Sequence, residues 1–109
     1  MAGYFRLQDQ RSVSANTQQQ LEYAIDVGPN RNLVVQLRIT QGAAGASIQL
    51  EHAAVNDESA YTSLGNAVSA TSAGNVVVVH QDALRFVRWT ITGLTGGTLH
   101  FLIDVIART

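Results

Sequence analysis

The chain has 109 residues, no cysteine, a formal net charge of −1 and only 14% charged residues. This length corresponds to one domain, and a chain without cysteine has neither a disulfide framework nor a thiolate metal site. The composition lacks the basic excess that nucleic-acid-binding proteins concentrate on one face. No apolar run approaches the roughly 20 residues of a membrane span, so we expect neither nucleic acid nor membrane as a partner.

The polar composition favours contacts between chains. Few charges and a near-zero net charge promote association over repulsion. All seven strongly basic residues are Arg, which suits interfaces because it is weakly hydrated and makes bidentate contacts. A GC-rich genome would produce the same Arg bias. The start of the chain has no charged-then-apolar signal pattern, so we expect synthesis in the cytoplasm.

Residues 1–20 are polar apart from a short stretch in which Phe5 and Leu7 could anchor a strand. Beyond that stretch, Val13 is the only sizeable apolar side chain. Such a segment is typical of a mobile arm that orders on a neighbouring chain, or of an edge strand centred on Val13. We therefore expect an N-terminal arm or edge strand over residues 1–20 and a β-domain over residues 21–109.

The rest of the chain alternates apolar and polar residues with a period of two, which indicates strands with one buried face. The clearest case is Asn32–Thr40, where odd-numbered residues are apolar and Val34 alone breaks the polar side. No helical period appears. Further strands are predicted at 21–27, 46–54, 61–64, 75–80, 84–92 and 98–107. The pattern predicts an all-β fold, a single-domain antiparallel β-sandwich of jelly-roll-like or Ig-like Greek-key type, with the strand order left open.

The aromatic residues divide into core and surface candidates. Trp89, Phe86 and Phe101 are the largest side chains predicted for the core between the two sheets. Tyr4 and Tyr61 are the best candidates for exposed rings. A carbohydrate-binding module would present several exposed aromatics, and with 6% aromatic residues the chain gives that function little support.

Residues that could carry chemistry are scattered. His52, His80 and His100 lie on three different predicted strands, without the spacing of a metal site. The loop at 56–58 offers oxygen ligands, but calcium usually takes about six to eight, so a hydrated turn is predicted. The sequence has no nucleophile elbow, phosphate loop or dinucleotide fingerprint. We expect no enzyme activity and no metal or cofactor.

The C-terminal stretches 82–93 and 96–105 resemble small structural proteins of tailed phages. In those proteins an Arg-aromatic-Val-Arg strand and a Thr-Gly turn precede a last alternating strand. The stretches 33–40 and 48–51 are similar to the same group. The resemblance extends over about residues 21–107 and consists of short strand motifs.

This resemblance implies a decoration or cement protein of a phage head, a small β-sandwich that is commonly a homotrimer. Such a protein binds the assembled major capsid protein on the virion surface and stiffens the shell. No family residue carries over by position. From the Arg bias and the polar N-terminal segment we expect contacts through Tyr4, Phe5 and Arg6, and through outward-facing Arg38 and Arg88. A tail or fibre component and a carbohydrate- or receptor-binding module are the alternatives.

Overall fold

The computed structural model describes residues 2–109, which form two antiparallel sheets and two isolated 3-10 turns. The predicted all-β sandwich is confirmed. No helix in this part of the chain is long and apolar enough to cross a membrane. The 3-10 turns are Leu21–Tyr23 and Glu58–Ala60. The strands are β1 (Ala2–Val13), β2 (Thr17–Gln18), β3 (Ile25–Asp26), β4 (Asn32–Gln41), β5 (Ser47–Ala53), β6 (Thr62–Ser63), β7 (Val68–Ser69), β8 (Gly74–His80), β9 (Phe86–Thr92) and β10 (Leu99–Arg108).

The chain folds as one long hairpin of strands whose two arms wrap into a sandwich. The first strand, β1, pairs with the last, β10, while β2 and β3 pair with β9. Further in, β4 pairs with β8, and β5 pairs with β6 and β7. The four-stranded sheet has the order β1-β10-β4-β8, and the six-stranded sheet has β9 and β5 at its centre. This nested pairing is the jelly-roll arrangement.

The core consists of the inward-facing side chains of both sheets, because successive residues of a strand point to opposite faces. In β4 the odd-numbered residues 33–39 are buried, as the alternation predicted. Trp89 and Phe101 join the two sheets, with ring centroids 5.0 Å apart in an edge-to-face arrangement. The core prediction for Phe86 is wrong, because its position in β9 places the ring half-buried on the outer face.

Residues 2–13 occupy one edge of the four-stranded sheet. Strand β1 pairs with β10 from Ala2 opposite Arg108 to Val13 opposite Leu99. Leu7 and Val13 are buried in the core. This segment therefore belongs to the sheet, in place of the mobile arm that its polar sequence suggested as one alternative.

The strand predicted over residues 21–27 is wrong for its first half. The backbone N–H of Tyr23 donates to the carbonyl of Gln20, and that of Ala24 donates to the carbonyl of Leu21, so the chain turns there. This part of the chain forms its ladder pairs with β9 at the short strands β2 and β3, on either side of the turn. The turn pushes Tyr23 outward, where its ring is exposed.

We expect Trp89→Ala to lower the free energy of unfolding by about 3–5 kcal/mol, because truncation leaves a cavity against Phe101. It also removes the indole N–H that donates to Gln8 at 3.1 Å. Chemical denaturation followed by circular dichroism measures the change. Thr92→Ala, at the exposed end of the same strand, should shift stability by no more than about 0.5 kcal/mol. A Trp89→Ala loss below about 1 kcal/mol would contradict a central core position.

Candidate functional site

A row of apolar side chains crosses the outer face of the four-stranded sheet. Tyr4 lies opposite Ile106 on the neighbouring strand, Ile106 opposite Val34, and Val34 opposite Val79. Val77 follows on the same face of β8. The side chains of Tyr4, Val77 and Val79 are more than half exposed, at 61–63%, and Ile106 is 46% exposed. We call these five residues the apolar row.

A shallow groove runs along the apolar row. Its volume is about 290 Å³, and Tyr4, Val34, Val77 and Ile106 line it together with two polar residues, Gln36 and Asp104. Soluble monomers rarely expose contiguous apolar patches larger than a few hundred Å², and the largest such patch on a surface is often a binding site. The groove therefore marks this face as the candidate interaction surface.

The carboxylate of Asp104 organises the polar margin of the same face. It accepts a hydrogen bond of 2.5 Å from the Tyr4 hydroxyl, forms an ion pair with Arg6, and accepts one of 3.2 Å from Arg38. Burial acts to raise the pKa of Asp104, but the bonds from Tyr4 and Arg6 outweigh it and lower the pKa. Both arginines thus have a counter-charge within the chain, and the Tyr4 ring is held in a defined position.

Three of the five predicted contact residues meet on this face, namely Tyr4, Arg6 and Arg38. Phe5 points the other way and packs against the core. The prediction that Arg88 is available at the surface is wrong, since its side chain is only 2% exposed. Arg88 does project from the outer face of the six-stranded sheet, but the connection between β5 and β6 folds over it.

Four residues of the apolar row were missed by the sequence analysis: Val34, Val77, Val79 and Ile106. The sequence did contain a signal for three of them. Val34 breaks the polar side of β4, and the run Val76–Val79 has no polar side at all. An outward-facing valine in an otherwise alternating strand is surplus to the core, which makes it a candidate for a surface contact.

Arg88 holds two carboxylates under the connection between β5 and β6. Its guanidinium donates to Glu51 at 2.9 Å and to both oxygens of Glu58 at 2.8 and 3.1 Å. The same group stacks on Tyr61, with its carbon 4.0 Å from the ring centroid. Asp57 caps the 3-10 turn by accepting the backbone N–H of Ser59 at 3.0 Å. The oxygen-rich loop at 56–58 therefore has a structural role here.

The three histidines do not form a common site. His100 shares a hydrogen bond of 2.6 Å with the Ser12 hydroxyl, and His52 accepts the backbone N–H of Leu84 at 3.1 Å. His52 and His80 lie close enough to influence each other electrostatically. Residues 2–109 contain no group of three or more His, Cys, Asp or Glu side chains that could hold a metal ion.

A second groove opens between β1 and the first 3-10 turn. It has a volume of about 370 Å³ and is lined by polar side chains beside the exposed ring of Tyr23. An exposed ring next to convergent polar groups is also found in carbohydrate sites. Of the two rings named as the best candidates for exposure, Tyr4 lies in the apolar row, and Tyr61 is covered by Arg88. Tyr23 was not singled out because it was assigned to a strand.

No protein-family model matches the sequence, and no curated protein matches it at a significant level.

We expect Arg88→Ala to cost about 3–5 kcal/mol of stability, because it removes the positive partner of the part-buried Glu51 carboxylate. Denaturant unfolding measures the loss. Arg85→Ala is the matched control, since the Arg85–Asp26 pair is solvent-exposed and such pairs are worth at most about 1 kcal/mol. Equal losses in the two variants would contradict a stabilising role for the buried ion pairs of Arg88.

Stability should fall in two stages as the pH decreases. Burial lowers the pKa of His52 and His80 below 6.5, and repulsion from His52 adds to the effect at His80. Below that pH the unfolded chain binds more protons than the folded one, so the free energy of unfolding decreases. The lowered pKa values of Glu58 and Asp104 cause a second decrease, below about pH 4.5.

Denaturant unfolding between about pH 8 and pH 3 checks both stages. The double variant His52→Gln, His80→Gln should lose the first stage and keep the second. The variant His100→Gln, outside this pair, should keep both. A first stage that persists without His52 and His80 would contradict the assignment.

Proposed function

We propose that this protein is a decoration or cement protein of a phage head. As a homo-oligomer on the virion surface, it binds the assembled shell of the major capsid protein and stiffens it. The observation that carries the proposal is the apolar row on the outer face of the four-stranded sheet. A contiguous apolar patch of this kind favours a partner chain that covers it.

The chemistry of this face suits a protein partner. The centres of protein interfaces are apolar and poor in charge, and Tyr and Arg are enriched there. Here the apolar row supplies the centre, while Arg6 and Arg38 stand at its margin, each paired with Asp104. The jelly-roll fold supports the proposal, since it is common in viral capsid proteins, although lectins and cupins share it.

A protein of this kind stabilises a shell by mass action. It binds where neighbouring capsid subunits meet, and this binding site does not exist on the separated subunits. Every bound copy therefore lowers the free energy of the assembled shell relative to the separated subunits. The area buried across the seams then opposes rupture of the shell. The homotrimeric state within this proposal derives from the family resemblance.

A carbohydrate- or receptor-binding module, as in a tail or fibre, is the second candidate. The groove beside Tyr23 favours it, because an exposed ring lies next to Gln8, Asp9 and Arg11. Glycan binding by the purified chain that Tyr23→Ala abolishes and Ile106→Lys leaves intact would favour this function over shell binding.

Co-sedimentation with emptied heads of the phage that encodes the chain tests the proposal. The wild type should sediment with the heads and raise the temperature at which they rupture. Ile106→Lys should bind at least about tenfold more weakly, because an ammonium group would be buried in an apolar contact. Val55→Lys, a change at an exposed apolar residue outside the four-stranded sheet, should bind like the wild type.

Two outcomes would contradict the proposal. The first is a wild-type chain that stays in the supernatant at all concentrations. The second is an equal loss of binding in Ile106→Lys and Val55→Lys, which would mean that the outer face of the four-stranded sheet has no special role.

A further inference from the structure

Three of the four sheet edges formed by residues 2–109 are protected against pairing with another chain. Edge strands expose unpaired backbone groups, and proteins usually protect them with charges, bulges, proline or short strands. Strand β1 has register shifts between Arg6 and Gln8 and between Gln8 and Arg11, next to Asp9. Both edges of the six-stranded sheet consist of two-residue strands.

Strand β8 is the unprotected edge. It is seven residues long and pairs with β4 in unbroken register from His80 opposite Leu33 to Gly74 opposite Ile39. It contains no Asp, Glu, Lys, Arg or Pro. Within residues 2–109, no backbone hydrogen bond reaches β8 from any segment other than β4. Its second row of N–H and C=O groups is open to a partner.

Both faces of β8 also present apolar surface at this edge. Val77 and Val79 are 61% and 63% exposed on the outer face. Val76 and Val78 point inward and pack against the core, yet they are only partly buried because no strand lies beyond them. A neighbouring strand would complete the burial of the inner valines and cover the outer ones.

We propose that β8 pairs antiparallel with β8 of a second copy across a two-fold axis. The two four-stranded sheets then join into one sheet of eight strands. In this mode of recognition, backbone hydrogen bonds provide the affinity and side chains determine the register. The apolar rows of the two copies become one continuous band across the joined sheet.

The sequence of β8 points to a second copy as its partner. On a two-fold axis each strand meets itself, so a charged residue on the axis would face a like charge. With Val77 or Val78 on the axis, every cross-strand pair next to it is Val against Val. Such β-branched pairs are favourable on a pleated surface.

This inference deepens the homo-oligomeric part of the proposed function and specifies how two copies meet. A two-fold pair differs from the homotrimer that the resemblance implies. The measured mass of the assembly therefore separates the two. Either assembly is compatible with binding to a capsid shell.

The double variant Val77→Lys, Val79→Lys tests the pairing. Both side chains are exposed within one copy, so the fold should persist, as circular dichroism would show. Native mass spectrometry and sedimentation velocity should give twice the chain mass of 11.7 kDa for the wild type and once that mass for the variant. Ile106→Lys removes an exposed apolar side chain from the same face, away from the β8 edge, and should remain dimeric.

Amide hydrogen exchange on the wild type provides an independent readout. In the dimer, consecutive amides of Val76–Val79 should all be protected, because those that face β4 and those that face the free edge are both bonded. A wild type that is monomeric or trimeric, a dimer that survives the double variant, or rapid exchange at alternate β8 amides would each overturn the proposal.

The shell assay keeps the two proposals apart. A chain that dimerises through β8 but does not bind heads contradicts the proposed function alone. A chain that binds heads while its β8 edge stays open contradicts the pairing alone.

Discussion

The requirement that each strand bury one face against the opposite sheet determines how the side chains of this protein are used. Trp89 and Phe101 meet at the junction of the two sheets, and the inward-facing residues around them exclude water. That burial is the main favourable contribution to folding. The outward-facing residues contribute less to the core, so apolar ones among them require another explanation. Tyr4 and Ile106 are such residues, and they lie side by side on one face.

The outer faces of the two sheets differ in how far the rest of the chain covers them. On the six-stranded sheet, Arg88 binds Glu58 from a connecting loop, and the loop covers that part of the face. On the four-stranded sheet, Asp104 pairs with Arg6 and Arg38 from neighbouring strands, and both arginine side chains stay 38–40% exposed. The same pairing of guanidinium and carboxylate thus closes one face and leaves the other accessible. This asymmetry directs the search for partners to the four-stranded sheet.

Much of the fold followed from local pattern, and the strand order did not. The alternation in β4 predicts its buried residues one by one, because the side-chain period of a strand is two. The pairing of β1 with β10 joins residues about a hundred positions apart, and such a contact leaves no mark in either segment. The turn at 21–23 was missed for a related reason. Its apolar residues are spaced as in a strand, but in the folded chain this stretch turns between the two short strands that pair with β9.

The candidate surface was only partly predictable. Tyr4, Arg6 and Arg38 stand on it because their strand positions point outward, as the pattern indicated. Arg88 also occupies an outward-facing position in β9, but it is buried because the loop that contains Glu58, 30 residues earlier in the chain, folds over it. Phe5 was expected to contact a partner as part of the N-terminal segment, yet it packs against the core, because adjacent residues of a strand face opposite sides.

The nested pairing of strands has a consequence for how the molecule forms. Tyr4 and Asp104, which share a hydrogen bond, are 100 positions apart in the chain. Folds dominated by such distant contacts form slowly, because a large loop must close before any of its contacts stabilise it. During synthesis β1 lacks its partner strand until β10 has been made, and the partner strands of β4 also lie in the C-terminal half of the chain. For that interval the apolar faces of the early strands are open to chaperones, or to strands of other newly made copies.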